Sequence, residues 1–144
     1  MPKAVLMAAL LLLSGRVLGK AEDTDTCWQA GVVQLSAAQT KAQLRYTTPV
    51  NSPLLWNSMR IENAVVVFKV RSDEDGNIAC LRVVSGHPII IAAALESVKT
   101  WKFHPKKVDG QRRPVYGTLV LRISCCRRGM ESKVLDEIPP QRKR

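Results

Sequence analysis

The chain has no Cys-x-x-Cys pair, no Gly-x-x-x-x-Gly-Lys-Ser/Thr loop and only two histidines, His87 and His104, 17 positions apart. Without the first, a structural zinc site or a thioredoxin-type redox pair has no support. Without the second, there is no backbone cradle for phosphates. No acid is spaced to orient either histidine, and no nucleophile–base pair or paired catalytic carboxylates stand out, so neither enzyme chemistry nor a bound cofactor or metal is expected. His87 reads as a helix-entry residue after Gly86, and His104, between Phe103 and Pro105, as a loop residue. Long apolar runs are missing too. The run from Ala4 to Leu13 is the longest, roughly half the ~20 residues that a membrane-spanning helix needs.

That run has a different meaning. It follows Lys3 and leads to small residues at Val17-Leu18-Gly19 and Gly19-Lys20-Ala21. Charged, apolar, small is the order of a secretory signal, so residues 1–19 are read as a cleaved signal peptide, with retention as a membrane anchor the alternative. Export changes the reading of the cysteines. In an oxidising compartment, disulfides are expected among Cys27, Cys80, Cys125 and Cys126. Cys80 and Cys126 fall on strands two apart, about 9–10 Å, too far to bridge. Cys27 is therefore expected to bridge to one of the other three, pinning the N-terminal segment over the domain.

The net charge is +10, and removal of residues 1–19 takes away Lys3 and Arg16 and no acid, leaving +8 (10 − 2). The cations follow no single periodic face, which argues against nucleic acid and leaves two readings open, a solvated basic surface toward anionic lipid heads or envelope polymers, and solubility alone.

Residues 20–52 form a polar, weakly patterned extension, in which Ser36-Ala37-Ala38-Gln39 has the form of a capping box before a short helix. Residues 53–125 carry the folded domain. Pro53 to Arg60 suits a short helix. Val65 to Arg71 is a valine-rich first strand. Ser72 to Asn77 is a polar turn with a glycine near its end, and Ile78 to Val84 is the antiparallel return strand. Pro88 opens a helix to Trp101, with Ile91, Leu95, Val98 and Trp101 on one stripe. Trp101 and Phe103 read as core, and the bulky run Ile89-Ile90-Ile91 mainly as packing surface. Val108-Asp109-Gly110-Gln111 is a turn, and Val115 to Cys125 a last strand, apolar at alternate positions. Residues 126–144 read as a charged, flexible tail. A helical crossover makes the second and third strands run parallel. The simplest sheet then has the order 2-1-3, with the third strand at a rim.

The segments Ile61-Glu62-Asn63-Ala64-Val65-Val66-Val67, Asp73-Glu74-Asp75-Gly76-Asn77, Val83-Val84-Ser85-Gly86-His87-Pro88 and Ala94 to Pro105, which contains Trp101-Lys102-Phe103-His104-Pro105, stand in a telling order and spacing. Over about Pro49 to Ser124 the chain resembles the C-terminal domain of the TonB energy-transducer family. Asn51-Ser52-Pro53 replaces the family's usual Tyr-Pro, Asn63 its glycine, and Ile91 and Ala92 its acidic positions. The transducer's anchoring helix and proline-rich linker have no counterpart, which favours a free-standing domain.

The resemblance implies an α+β fold, a small three-stranded antiparallel or mixed sheet of order 2-1-3 with two helices on one face. It also implies a non-enzymatic periplasmic interaction module related to outer-membrane transport. Such a module binds an extended segment of an envelope protein, an outer-membrane receptor among the candidates, by strand addition at the last strand. On that reading Tyr116, Thr118, Val120 and Arg122 are the partner-binding residues of the rim. Two alternatives remain open: an envelope protein that homodimerises through the same rim or the isoleucine run, and a membrane-anchored accessory of a TonB-type complex.

Overall fold

The computed structural model describes residues 26–51, 61–125 and 130–141. The expected signal peptide, the helix from Pro53 to Arg60 and Cys126 lie outside the described residues.

The hairpin forms as the valine-rich pattern requires. Strand β3 (Ile61–Ser72) pairs antiparallel with β4 (Ile78–Ser85), with Val70 opposite Leu81 and Arg71 opposite Cys80. Asp73 builds the turn between them. Its Oδ1 accepts from the N–H groups of Asp75 and Asn77, each at 2.9 Å. Desolvation works to raise the Asp73 pKa, but the hydrogen bonds from Asn77, Asp75 and Gly76 outweigh it and hold the carboxyl below its ordinary value. Gly76 closes the turn at φ 88°, and its Cα lies so near the Phe103 carbonyl that a Cβ there would overlap that oxygen.

β8 (Val115–Cys125) lies antiparallel on the other side of β3, with Phe68 opposite Leu119 and Val66 opposite Leu121. Strands β4, β3 and β8 are thus neighbours in that order, within a five-stranded sheet rather than a three-stranded one. β1 (Val33–Leu35) runs parallel to Val115–Gly117, and β9 (Met130–Leu135) runs antiparallel to Val120–Cys125. Both lie on the flank of β8 away from β3. The strand expected at a rim is therefore interior, and residues expected to form a tail supply part of its cover. The physical reason is visible at Val120, which is fully buried, as are Leu119 and Leu121 beside it. The apolar Val120 stands on the face opposite Leu119 and Leu121, so at that point the strand buries both faces, which suits the inside of a sheet better than its margin.

Helix α2 (Pro88–Val98) covers one face through Ile90, Ala93, Ala94 and Val98, all buried. They pack against Val66, Phe68 and Val70 of β3 and Leu119, Leu121 and Ile123 of β8. The buried stripe is rotated from the expected one: Ile90 replaces Ile91, Ala94 replaces Leu95, and Ile91 and Leu95 flank the core half-buried. An unbroken apolar run from Pro88 to Leu95 carries no phase, and the small Ala93 and Ala94 are among the residues buried against the sheet. His87 sits at the N-cap without a side-chain capping bond. Trp101 and Phe103 are core residues. The Trp101 indole donates to the Thr48 carbonyl at 3.0 Å.

The described part of the extension, residues 26–51, carries β1, a short helix and a further strand and so has regular structure, unlike the expectation. α1 (Ala37–Ala42) starts with the expected capping box: Ser36 Oγ accepts from the Gln39 N–H at 3.2 Å and Gln39 Oε1 accepts from the Ser36 N–H at 2.9 Å. α1 lies on β8 at Gly117, where a Cβ would overlap Thr40 Oγ1. β2 (Leu44–Tyr46) pairs with β5 (Lys102–Phe103), and β6 (Lys106–Val108) with β7 (Gln111–Arg113) across the expected turn, where Asp109 and Gly110 take φ of 52° and 77°.

Candidate functional site

The residues expected to bind a partner share the sheet with other strands on both sides. Tyr116, Thr118 and Arg122 are half-buried and Val120 is fully buried. They fall on the face opposite the helices, in phase with Val67 and Lys69 of β3. Lys69 joins two of them: its Nζ donates to Thr118 Oγ1 at 2.8 Å and lies 5.6 Å from the centroid of the Tyr116 ring. The four therefore belong to one face and not to a free rim. The sequence signal that β8 is covered was the alternation of Met130, Ser132 and Val134 with Glu131, Lys133 and Leu135, hidden in a charged stretch.

At one margin of the sheet β1 and β9 are each hydrogen-bonded to β8 alone; the other margin, with no strand beyond it among the described residues, is β4, which is hydrogen-bonded to β3 alone. It offers eight residues, Ile78–Ser85. Val84, near its end, is 47% exposed, and Ile89, just beyond the turn into α2, is 45% exposed. Gly86 between them has φ 146°, and a Cβ there would stand 3.1 Å from both Ile91 Cγ1 and Val66 Cγ2. The backbone at the end of this rim is thus held by a turn that only glycine makes easily, and Val84 is an exposed apolar side chain on a strand that pairs with one neighbouring strand.

A covalent tie reaches β4 from the opposite face. Cys27, fully buried, is disulfide-bonded to Cys80, with Cα atoms 5.4 Å apart. This is the bridge from the N-terminal segment that the cysteine count led one to expect. Cys125 is oxidised as well. From Cys80 to β1 the chain must cross three inter-strand spacings, about 14 Å. It does so in the six residue steps from Cys27 to Val33, which reach about 20 Å at most. Residues 27–33 therefore span the sheet from one margin to the other with length to spare, and they turn at Ala30 and Gly31, where Gly31 takes φ 86°.

His87 and His104 are exposed. Among the described residues no three His, Cys, Asp or Glu side chains converge in a way that would hold a metal. No helix among them is long and apolar enough to cross a membrane.

Residues 58–123 match the family model of the Gram-negative bacterial TonB protein C-terminal, a family of non-enzymatic, periplasmic protein-interaction domains that act in envelope transport. No curated protein and no solved structure matches the chain. The matched segment takes in β3 to β7 and β8 as far as Ile123; β1, α1, β2 and β9 lie outside it, β1 and β9 being the strands that pair with the far flank of β8.

Proposed function

Residues 58–123 being a TonB C-terminal domain, we propose that this protein is a periplasmic binding module that takes an extended segment of an envelope protein as an additional strand, and that β4 receives it. The observation that carries this reading is the eight-residue β4 rim, which among the described residues pairs with a strand on one side only. Unpaired N–H and C=O groups on an edge strand are a ready template for a partner strand, and exposed apolar side chains next to it supply specificity. Val84 and Ile89 are suited to an apolar residue of that partner. The far flank of β8 is a poorer acceptor. β1 and β9 already bond there, and Asp136, next to β9, is tied to Lys41 of α1 at 3.0 Å.

The test uses the alternation of an antiparallel strand, in which successive N–H groups point to opposite neighbours. Leu81, Arg82 and Val83 are replaced by proline one at a time, with circular dichroism to verify folding, and a photocross-linker is placed at Val84 or at Leu135 in the native envelope. The reading expects cross-links from Val84 to an extended segment of an envelope protein. It also expects loss of capture by the proline whose lost N–H faced outward, with the others retaining it. Cross-links from Leu135 alone, or capture indifferent to all three prolines, would refute it. A cross-link of Val84 to a second copy of the chain would instead identify the rim as a dimer interface.

A further inference from the structure

The face opposite the helices holds a second feature, two strands from the β4 rim and independent of it. In the β8–β9 ladder Arg122 stands directly across from Lys133. Like charges opposed on neighbouring strands repel and weaken the pairing. Glu131, which lines a hollow with both of them, is opposite Ser124 and among the described residues forms no ion pair with either cation. Among the described residues, Arg122 and Lys133 form no ion pair, and the buried Arg122 Nε has no hydrogen-bond partner. A guanidinium carries five donors, and leaving a buried one unused is costly.

The space beside Arg122 is shaped to receive an acceptor. A hollow of about 510 Å³ is lined by Asn63, Val65, Arg122, Pro139, Pro140 and Gln141. A smaller one of about 210 Å³, lined by Asn63, Arg122, Ser124, Glu131 and Lys133, shares the arginine as a wall. The walls are stiff. Asn63 is held in the left-handed region at φ 55°, its N–H donated to Ser124 Oγ at 3.1 Å, and two consecutive prolines close the far side.

We propose that Arg122 and Lys133 form a binding site for one oxyanion group, a carboxylate or a phosphate. The planar fork of Arg122 would take two oxygens, and Lys133 would add a point charge from β9. A bound anion satisfies the orphaned Nε–H and cancels the repulsion across the ladder. Glu131 at the edge of the smaller hollow disfavours a second anion. The ligand is either a free small acid or an acidic side chain of a bound protein.

The experiment follows the Arg122 Nε–H resonance of the full chain while citrate, inorganic phosphate or the peptide acetyl-Gly-Glu-Gly-amide is added. A saturable shift is expected, with affinity lowered about tenfold or more in Arg122→Gln, less in Lys133→Gln and not at all in Lys107→Gln. The variants are followed by calorimetry. Saturation by the free acids alone makes this a small-molecule site, and saturation by the peptide makes it a receptor for a partner's acidic residue; either supports the proposal. If Arg122→Gln does not fold, Arg122→Lys and the exposed Lys133→Gln carry the comparison. No saturable shift with any of the three probes, or undiminished binding in the folded variants, overturns it.

Discussion

Thr40 occupies the volume that a side chain at Gly117 would need: a Cβ built on that glycine overlaps Thr40 Oγ1. Thr40 is itself buried, its hydroxyl donated to the Ser36 carbonyl at 2.7 Å. Gly117→Ala is therefore expected to lower stability by about 1–3 kcal/mol, the usual cost of overpacking. Thr40→Ala should recover part of that loss in the double variant, because the two residues are in contact. Urea unfolding of the four-member cycle checks it; simple additivity would mean that α1 does not bear on β8 there.

The Cys27–Cys80 bridge closes a loop with a sequence separation of 53. Replacing both cysteines by serine should cost about 2–4 kcal/mol through the freed unfolded chain. A reduced and an oxidised sample compared by chemical denaturation would show the difference, and an unchanged midpoint would contradict it.

Gly76 combines positive φ with a neighbouring backbone carbonyl that cannot step aside, that of Phe103. Gly76→Ala should therefore cost more than about 1 kcal/mol, the strain of a left-handed alanine being only one part of the penalty. Thermal unfolding should place this variant well below Gly110→Ala. A Cβ on Gly110 meets nothing within 4 Å, although its φ is also positive.

Asp73 has its pKa depressed in the folded state, because its amide hydrogen bonds outweigh desolvation. Its contribution to stability is then present above the unfolded carboxylate value, about pH 4, and fades as pH falls through the lower folded value. Asp73→Ala should flatten the acid limb of the stability–pH curve below about pH 4 and leave its shape near neutrality unchanged. A variant curve parallel to the parent throughout would exclude Asp73 as a source of acid sensitivity.

Removing β9 by ending the chain just before Met130 should uncover the flank of β8 from Val120 to Cys125. Met130 and Val134, which pack against the core, go with it. Loss of stability and self-association are expected, read by light scattering. A stable monomer would show that β8 tolerates an open flank.

The parts legible in the sequence were those written in local chemistry. The capping box at Ser36 and Gln39, the Asp73–Gly76 turn, the Asp109-Gly110 turn and the valines of β3 each specify their own geometry through a few adjacent side chains. Asn63 in place of a glycine still adopts positive φ. What was not legible depended on contacts distant in sequence. The phase of α2 is decided by which residues fit under it against Phe68 and Leu119, not by the isoleucine run itself. The interior position of β8 depends on β1, three residues long, and on β9, whose alternation is masked by Glu131 and Lys133. Arg122 was singled out as a rim residue. Its place beside Lys133 and the Asn63 hollow follows only once β9 is seen to pair there.

The strap of residues 27–33 has a mechanical meaning. Strands in a sheet part most easily when they are peeled one hydrogen bond at a time from an outer strand. Here the strap fastens β4 on one margin to β1 on the other by a covalent link and a short stretch of backbone that crosses the strands between them. A tug on a guest bound to β4 would be resisted by stretching that tie as well as by unzipping β4 from β3. Reduction of a single sulfur–sulfur bond would then turn a braced sheet into one that tears under much smaller forces.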